Sequence, residues 1–359
     1  MGARRSARIA RINNVHLQNI FCCADIWLDV FALIGPGQLG LKLALLSNRF
    51  DCLVDKHFKT RKWALGKFEI RMQEKEKIVQ IVKRVKYGRM QWLPMPQQPL
   101  PDGLVGFNEI SVRYVDQAVI EFLDRILRHV GANITLQPTI FYSSWHIFAH
   151  QIWPMLKPNI SRMMFDDKSD FMGHGGYFTQ LRRHLSPAVL RECANLRSID
   201  SVYLYPIGSA ADDSLGTSNG KALSKWLHTP RGDGRPKVLK FNAWHSPYHV
   251  TKTFKELKKA FVNASSSVSY VVRVDAYFAH TEPFVVENGA TRECLTLHRA
   301  RGNAWMLERG PIDREEQQWA VWTREALEKK NWPNLLQFEF GDRDIGPLSP
   351  DEPSTSKSK

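Results

Sequence analysis

The stretch DQAVIEFLDRILRHVGANITL, residues 116–136, contains a complete helix signal followed by a strand signal. Asp116 stands where a side-chain oxygen can cap a helix, and Gly131 stands where a left-handed residue can end it. Between them the apolar residues recur at helical spacing: Val119, Ile120, Leu123, Ile126, Leu127 and Val130. Ile134 and Leu136 then alternate with polar neighbours, as in a strand with one buried face. The stretch therefore predicts a helix that packs on a sheet.

Pairs of alternating apolar residues recur on both sides of this stretch, with helical patterns between them. The pairs are Ile110 and Val112, Ile134 and Leu136, Met163 and Phe165, Val202 and Leu204, Leu239 and Phe241, and Val272 and Val274. The order Leu196-x-x-Ile199-x-x-Val202-x-Leu204 resembles the strand signature of leucine-rich repeats. We expect an irregular leucine-rich-repeat-like α/β repeat domain over residues 103–345. A conventional α/β sandwich is the alternative.

The pattern changes to hairpins after Val274. Asn288-Gly289 between two strand patterns predicts a two-residue type I′ turn. A further strand is expected around 305–309. These strands predict a terminal β-meander that closes the repeat sheet.

The segment 21–66 is rich in short apolar helical patterns. Asp25 is predicted to cap a helix that ends at Gly35-Pro36-Gly37, and two further apolar runs follow at 39–46 and 50–54. So short a segment cannot bury all its large side chains by itself, so we expect it to cover a partner surface. Residues 1–20 are expected to form a basic arm, 67–102 a linker with a Pro-rich joint, and 346–359 a disordered tail.

The formal net charge is +14, but the basic residues are interspersed with other residues along most predicted helices. Such a distribution is typical of a solvated surface, so we do not predict nucleic-acid binding. The five cysteines lack metal-type spacing, which favours free thiols and an intracellular location, cytoplasmic or nuclear. The sequence has no apolar run long enough to span a bilayer.

Enzyme motifs are absent from the sequence. Residues 216–222 resemble a phosphate loop, but Ala222 stands where the loop requires a hydroxyl. His146 and His150 have a spacing that can hold zinc, yet Ile147 occupies the position of the required glutamate. The group of Asp166, Asp167 and His174 is interpreted as a loop. We therefore predict no catalytic residue, no metal and no cofactor; an enzyme that joins His146, His150 and a carboxylate around a metal is the remaining alternative.

The N-terminal helices resemble the F-box motif. The first half matches at Val30-Phe31, Ile34, Pro36 and Leu39, and the closing half at residues 46–53 (LSNRFDCL). Residues 21–24 (FCCA) replace the leading Leu-Pro of that motif.

The rest of the chain resembles a family of nematode F-box-associated proteins. The stretches that carry this resemblance are residues 35–42 (GPGQLGLK), 193–199 (CANLRSI), 226–234 (WLHTPRGDG), 261–264 (FVNA) and 342–346 (DRDIG).

This resemblance implies a non-catalytic substrate-recognition adaptor of a Skp–cullin–F-box ubiquitin ligase. Its α/β domain would bind an unidentified target protein, and its helices would dock on a Skp-family adaptor and, through it, a cullin. The implied Skp-binding residues are Ile26, Val30, Phe31, Ile34, Pro36, Leu39, Leu46, Phe50 and Leu53. A Skp-independent protein-binding scaffold with a degenerate F-box is the alternative.

Overall fold

The computed structural model describes residues 22–34, 39, 43–60, 62–85, 88–96, 100, 103–141, 144–165, 176–202, 204–206, 211–242, 247–275, 281–300, 302–328 and 334–348. Contacts divide the chain into two compact units, one formed by Met1–Trp63 with Pro101–Gly103 and the other by Ala64–Leu100 with Leu104–Lys359. The expected basic arm and all but the first residues of the expected tail lie outside the described residues.

In its described residues, the first unit contains two helices with a short turn between them. Helix α1 spans Ala24–Ala32, a 3₁₀ turn spans Ala44–Leu46, and α2 spans Asn48–Thr60. The predicted cap is wrong by two residues: Cys23 occupies the cap position without a side-chain hydrogen bond, and Asp25 lies in the first turn. A carboxylate there still interacts favourably with the positive end of the helix. We call this part of the chain the helical unit.

The second unit is built on a single sheet. Its thirteen strands are β1 (Trp63–Gln73), β2 (Ile78–Arg84), β3 (Met90–Pro94), β4 (Leu104–Val112), β5 (Ile134–Ile140), β6 (Ile160–Phe165), β7 (Ser198–Ser201), β8 (Lys237–Asn242), β9 (Tyr270–Asp275), β10 (Phe284–Asn288), β11 (Glu293–Arg299), β12 (Ala304–Pro311) and β13 (Leu335–Phe340). We call this part of the chain the sheet unit.

Helices connect most of these strands. They are α3 (Gln117–Val130), α4 (Trp145–Ile147), α5 (Trp153–Leu156), α6 (Tyr177–His184), α7 (Val189–Glu192), α8 (Asn219–Leu227), α9 (Pro247–Val262) and α10 (Glu316–Leu327). A π turn, Phe148–Ile152, joins α4 to α5. Helix α3 is confirmed at both ends: Oδ1 of Asp116 accepts from the backbone N–H of Val119 at 2.9 Å, and Gly131 has a φ of 64°.

The strand order is β10-β11-β12-β9-β8-β7-β6-β5-β13-β4-β1-β2-β3. The seven strands from β4 to β9 in this order are parallel, and the meander β10–β12 continues the sheet in antiparallel fashion. Strands β5 to β9 lie side by side in chain order with helices in their connections. The predicted α/β class is therefore confirmed. The leucine-rich-repeat interpretation stays a prediction. In a regular repeat β4 and β5 would be neighbours, whereas here β13 lies between them.

One row of apolar side chains crosses the centre of the sheet. Leu136, Met163, Ile199, Leu239 and Val272 lie opposite one another on successive strands, and all are fully buried. They share one core with the inner faces of the connecting helices. Burial of each such side chain contributes about 1.5–3 kcal/mol relative to exposure, so this row is a main source of stability.

The predicted fourth strand is shifted by three residues. Strand β7 ends at Ser201, and Ile199 takes the place in the row that we assigned to Val202. The backbone N–H of Leu204 donates to Oγ of Ser201 at 2.9 Å, a local turn that ends the strand.

The expected linker 67–102 contains most of the three-stranded ribbon β1–β3 instead. Alternation along β1 explains the difference. Phe68 and Ile70 are buried in the core of the sheet unit, while Lys67, which points to the other face of the strand, is exposed. The charged residues Lys67, Glu69 and Arg71 alternate with the buried ones along β1, and the charged residues 74–77 form the turn to β2.

The hairpin of β10 and β11 has a longer loop than predicted. Asn288 pairs with Glu293, which leaves four residues between them and rules out the two-residue type I′ turn. The Asn288 side chain shapes this loop, because its Oδ1 accepts from the N–H of Ala290 at 2.9 Å and its Nδ2 donates to the carbonyl of Phe261 at 2.8 Å. The terminal meander itself is confirmed.

Candidate docking surface and sheet face

Helix α1 has an inner face that holds the helical unit together. Phe31 is fully buried and packs with Leu39, Leu53 and Val54. These four residues form a small core, and all of them belong to the helical unit. The Trp27 ring packs edge-on against Phe50, with centroids 4.8 Å apart. Aromatic contacts of this kind add to the area they bury. The inner face is therefore structural.

The opposite face of α1 is apolar but exposed. Ile26, Val30 and Leu33 follow one another at helical spacings of four and three residues, so they lie on one side of the helix and the turn that ends it. Their exposed fractions are 53%, 36% and 89%. We call these three residues the outer stripe. A contiguous apolar stripe on a surface indicates a contact site.

Local hydrogen bonds fix the start of α1 and the start of α2. Nη2 of Arg49 donates to the carbonyl of Cys22 at 2.6 Å, which joins the beginning of α1 to the beginning of α2. Oγ of Ser47 accepts from the backbone N–H of Phe50 at 3.3 Å. These contacts hold the outer stripe on an ordered helix.

The nine residues predicted to bind a Skp adaptor separate into four groups. Ile26, Val30 and Leu46 are exposed. Ile34 and Phe50 are partly buried against the small core. Pro36 lies outside the described residues.

The remaining three, Phe31, Leu39 and Leu53, are interior residues and do not offer a surface to a partner. Leu33 and Leu45, which are both highly exposed, were not among the predicted residues. Leu33 lies three residues after Val30, and this helical spacing could have identified it.

The sheet unit presents a polar face on the side opposite its apolar row. Nε2 of Gln337 donates to Oε1 of Gln137 at 2.9 Å, Lys240 pairs with Asp200 at 3.2 Å, and Arg273 continues the same row. We call these five residues the polar sheet face. Their side chains are partly exposed, so they can donate and accept hydrogen bonds to a bound protein.

Helix α10 covers another part of this side. Trp319 packs with Val238, Val271 and Met306, and its Nε1–H donates to Oε2 of Glu308 at 2.8 Å. The helix therefore covers β8 and β9 two residues before Lys240 and Arg273, which stay partly exposed.

Two of the residues considered for catalysis lie in the described part of the chain. His146 and His150 are both exposed on the segment that includes the π turn. Within the described ranges, no three His, Cys, Asp or Glu side chains are grouped in a way that could hold a metal. Asp166, Asp167 and His174 lie outside the described residues.

The loop that resembles a phosphate loop is occupied by the protein's own arginine. Arg182 donates from Nη1 to the Thr217 carbonyl at 2.6 Å and from Nη2 to Oγ1 of the same residue at 2.8 Å. Ser218 caps α8 through the N–H of Lys221. The loop thus serves to begin a helix.

The state of the cysteines and the hydropathy of the helices can be compared with the sequence predictions. The five cysteines are all free thiols, and burial raises the pKa of Cys193 to about 12. Among the helices described, none combines the length and hydropathy needed to cross a membrane.

Comparisons with protein-family models, curated proteins and solved structures found no match to this chain.

Proposed function

We propose that the protein is a substrate-recognition subunit of a Skp–cullin–F-box type ubiquitin ligase. The helical unit docks on a Skp-family adaptor, which connects it to a cullin, and the sheet unit holds a target protein. The observation that carries this proposal is the outer stripe, an exposed apolar surface on a helix whose other face is packed.

The outer stripe supplies apolar area for a contact. Full burial of a large aliphatic side chain contributes about 1.5–3 kcal/mol, and three such residues lie together on α1. Phe31 and Leu39 act indirectly, because they hold α1 in place. The occupant that we propose is a Skp-family adaptor, since the resemblance of residues 30–53 to the F-box motif begins in the last turn of this helix.

The sheet unit fits the role of a target-binding domain. Strands β5 to β9 follow in chain order with helices on the apolar row, and the polar sheet face lies on the other side. In an α/β repeat such a face is an extended binding surface. A receptor of this kind performs no bond chemistry and instead raises the effective concentration of the target near the conjugating enzyme.

Binding of a purified Skp adaptor to the full chain tests this proposal. The double variant Ile26→Ser with Leu33→Ser should weaken binding at least about tenfold, because it removes apolar area without touching the core. Val262→Ser is the matched control, since Val262 is a similarly exposed aliphatic residue of the sheet unit. Calorimetry gives the affinities, and thermal melting shows whether each variant is folded.

The design separates the two functional hypotheses. If the wild-type chain does not bind a Skp adaptor, the ligase proposal is overturned and the Skp-independent scaffold remains. If binding is unaffected by the double variant, the outer stripe is not the docking surface. Recovery of a cullin together with the adaptor would extend the assembly as proposed.

A further inference from the structure

A cavity of about 630 Å³ lies in the sheet unit beside the N-terminal ends of β6 and β7. Its charged lining consists of four arginines and two carboxylates: Arg162, Arg197, Arg231, Arg235, Asp233 and Glu325. We call it the arginine cavity. The formal charge of these six side chains is therefore positive by two.

Strand register and the contacts of α10 position two of these arginines. Arg162 lies directly opposite Ser198 on the neighbouring strand, with Nη1 3.4 Å from Oγ. Arg197 precedes β7 and donates from Nη2 to the carbonyl of Trp322 at 2.8 Å and from Nε to that of Pro236 at 3.2 Å. The guanidinium of Arg197 is thus held in place by α10 and by the segment before β8.

The two carboxylates neutralise the arginines only in part. Both oxygens of Asp233 are engaged by Arg231, at 2.9 Å and 2.7 Å. Glu325 is half exposed and lies 4.0 Å from Nη1 of Arg197, too far for a hydrogen bond. Arg235 stands over the Trp322 ring, 5.9 Å from its centroid, and within the described part of the chain its side chain has no ion pair.

Burial and mutual repulsion both disfavour the charged state of these arginines. Burial lowers the pKa of Arg162 to about 10; Asp200 opposes this shift and Arg197 adds to it. Burial also lowers the pKa of Arg197, and Arg235 is the next contribution in the same direction. A bound anion would reverse the repulsion and replace lost hydration with hydrogen bonds.

We infer that the arginine cavity binds a phosphate monoester group through Arg162, Arg197 and Arg235. A monoester carries a charge of about −1.5 to −2 at neutral pH, whereas a carboxylate or a phosphodiester carries only −1, so the monoester is attracted most strongly by a lining rich in arginine. Guanidinium groups present paired donors that fit phosphate oxygens. Ser198 and Asn133 also line the cavity and offer further donors. The inference stands independently of the proposed ligase function.

The cavity is larger than a phosphate group, so the group can be carried by a phosphorylated side chain or by a small phosphate ester. Calorimetry on the full chain with inorganic phosphate, N-acetyl-O-phosphoserine amide and its unphosphorylated form distinguishes these sources. We expect a dissociation constant below about 1 mM for at least one phosphorylated probe. The unphosphorylated form should show no binding. Tighter binding of the amide indicates a phosphorylated side chain, and tighter binding of inorganic phosphate indicates a small-molecule source.

Variants assign the binding to this cavity. Arg162→Gln with Arg235→Gln should weaken binding at least about tenfold, because two charge-assisted contacts are lost. Arg128→Gln is the matched control, since Arg128 is an exposed arginine on α3. Glu325→Gln should tighten binding roughly two- to fivefold, because it removes a nearby negative charge in a half-exposed position. A misfolded variant cannot produce that gain.

Several results would overturn the inference. One is that the wild type binds neither phosphorylated probe at about 150 mM salt. The others are that the double variant binds as tightly as the wild type, or that Glu325→Gln does not tighten binding. Preference for an oligonucleotide over the monoester, lost in the same double variant, would assign the cavity to a phosphodiester instead. Thermal melting of each variant confirms that the comparison is made between folded proteins.

Discussion

Arg309 on β12 and Glu293 on β11 form an ion pair inside the sheet unit, with Nη2 2.6 Å from Oε2 and both side chains at most 2% exposed. Further contacts satisfy the pair: Nη2 of Arg309 donates to the Ser266 carbonyl at 2.9 Å, and Oε1 of Glu293 accepts from the Val268 N–H at 2.7 Å. The pair therefore fastens the meander to the segment before β9.

Removal of one partner leaves a buried charge without compensation. We expect Glu293→Gln to lower the free energy of unfolding by about 3–5 kcal/mol, measured by urea denaturation. Asp313→Asn is the control, because it breaks an exposed pair with Arg292 and should cost at most about 1 kcal/mol. Equal losses in the two variants would contradict the structural role of the buried pair.

Lys237 predicts a pH-dependent stability. Burial lowers its pKa from 10.5 to about 7, with further lowering by Arg231 and Arg191. Between these two values the unfolded chain binds one more proton than the folded chain, so this group makes stability rise with pH. The slope is of the order of 1.4 kcal/mol per pH unit, and below pH 7 the contribution of the group is constant.

Comparison with Lys237→Met isolates this effect from other titrating groups. The variant should be more stable than the wild type near pH 6, and the difference should shrink as the pH approaches 10. Urea denaturation at several pH values measures it. A difference that does not vary with pH would contradict the lowered pKa.

Gly106 should not tolerate a side chain. A Cβ at this position of β4 would overlap the side-chain oxygen of Asn334, which accepts from the Phe107 N–H at 2.8 Å. Asn334 also donates to the Asn133 carbonyl at 3.0 Å, so it connects β4 to the residue before β5. We expect Gly106→Ala to destabilise the protein by about 1–3 kcal/mol in thermal melting. Gly66→Ala, where a Cβ has open space, should have little effect.

The two faces of α1 should respond differently to truncation. Phe31→Ala should lower the stability of the helical unit by about 3–5 kcal/mol, because it leaves a cavity among Leu39, Leu53 and Val54. Leu33→Ala should change stability by less than about 0.5 kcal/mol, since Leu33 is exposed. Hydrogen exchange of the α1 and α2 amides measures both changes. Similar protection in the two variants would show that the inner face is not the core.

The features that could be predicted from the sequence are those that residues close together in the chain determine. The ends of α3 follow from Asp116 and Gly131, and its packed face follows from the spacing between them. The beginning of β7 could not be chosen in this way, because Ile199 and Val202 both continue an apolar pattern. The pairing of Ile199 with Leu239 settles it, and that contact joins residues far apart in the chain.

Long-range contacts also explain what the sequence analysis missed at the candidate sites. Arg162, Arg197, Arg235 and Glu325 come from four separate segments, and their proximity depends on the position of α10. Strand β13 shows clear alternation at Leu336, Phe338 and Phe340, yet its place between β4 and β5 is not indicated by any local pattern. In the helical unit, by contrast, Ile26 and Val30 were predicted, and the helical spacing from Val30 could have identified Leu33 as well.

The position of β13 also sets the order in which the protein can be completed during translation. Strands β4 and β5 leave the ribosome some two hundred residues before their shared neighbour. Until then each has an edge with unpaired backbone groups, and such edges promote aggregation and chaperone binding. A premature stop codon shortly before residue 335 would therefore leave a gap in the middle of the sheet rather than a shortened end.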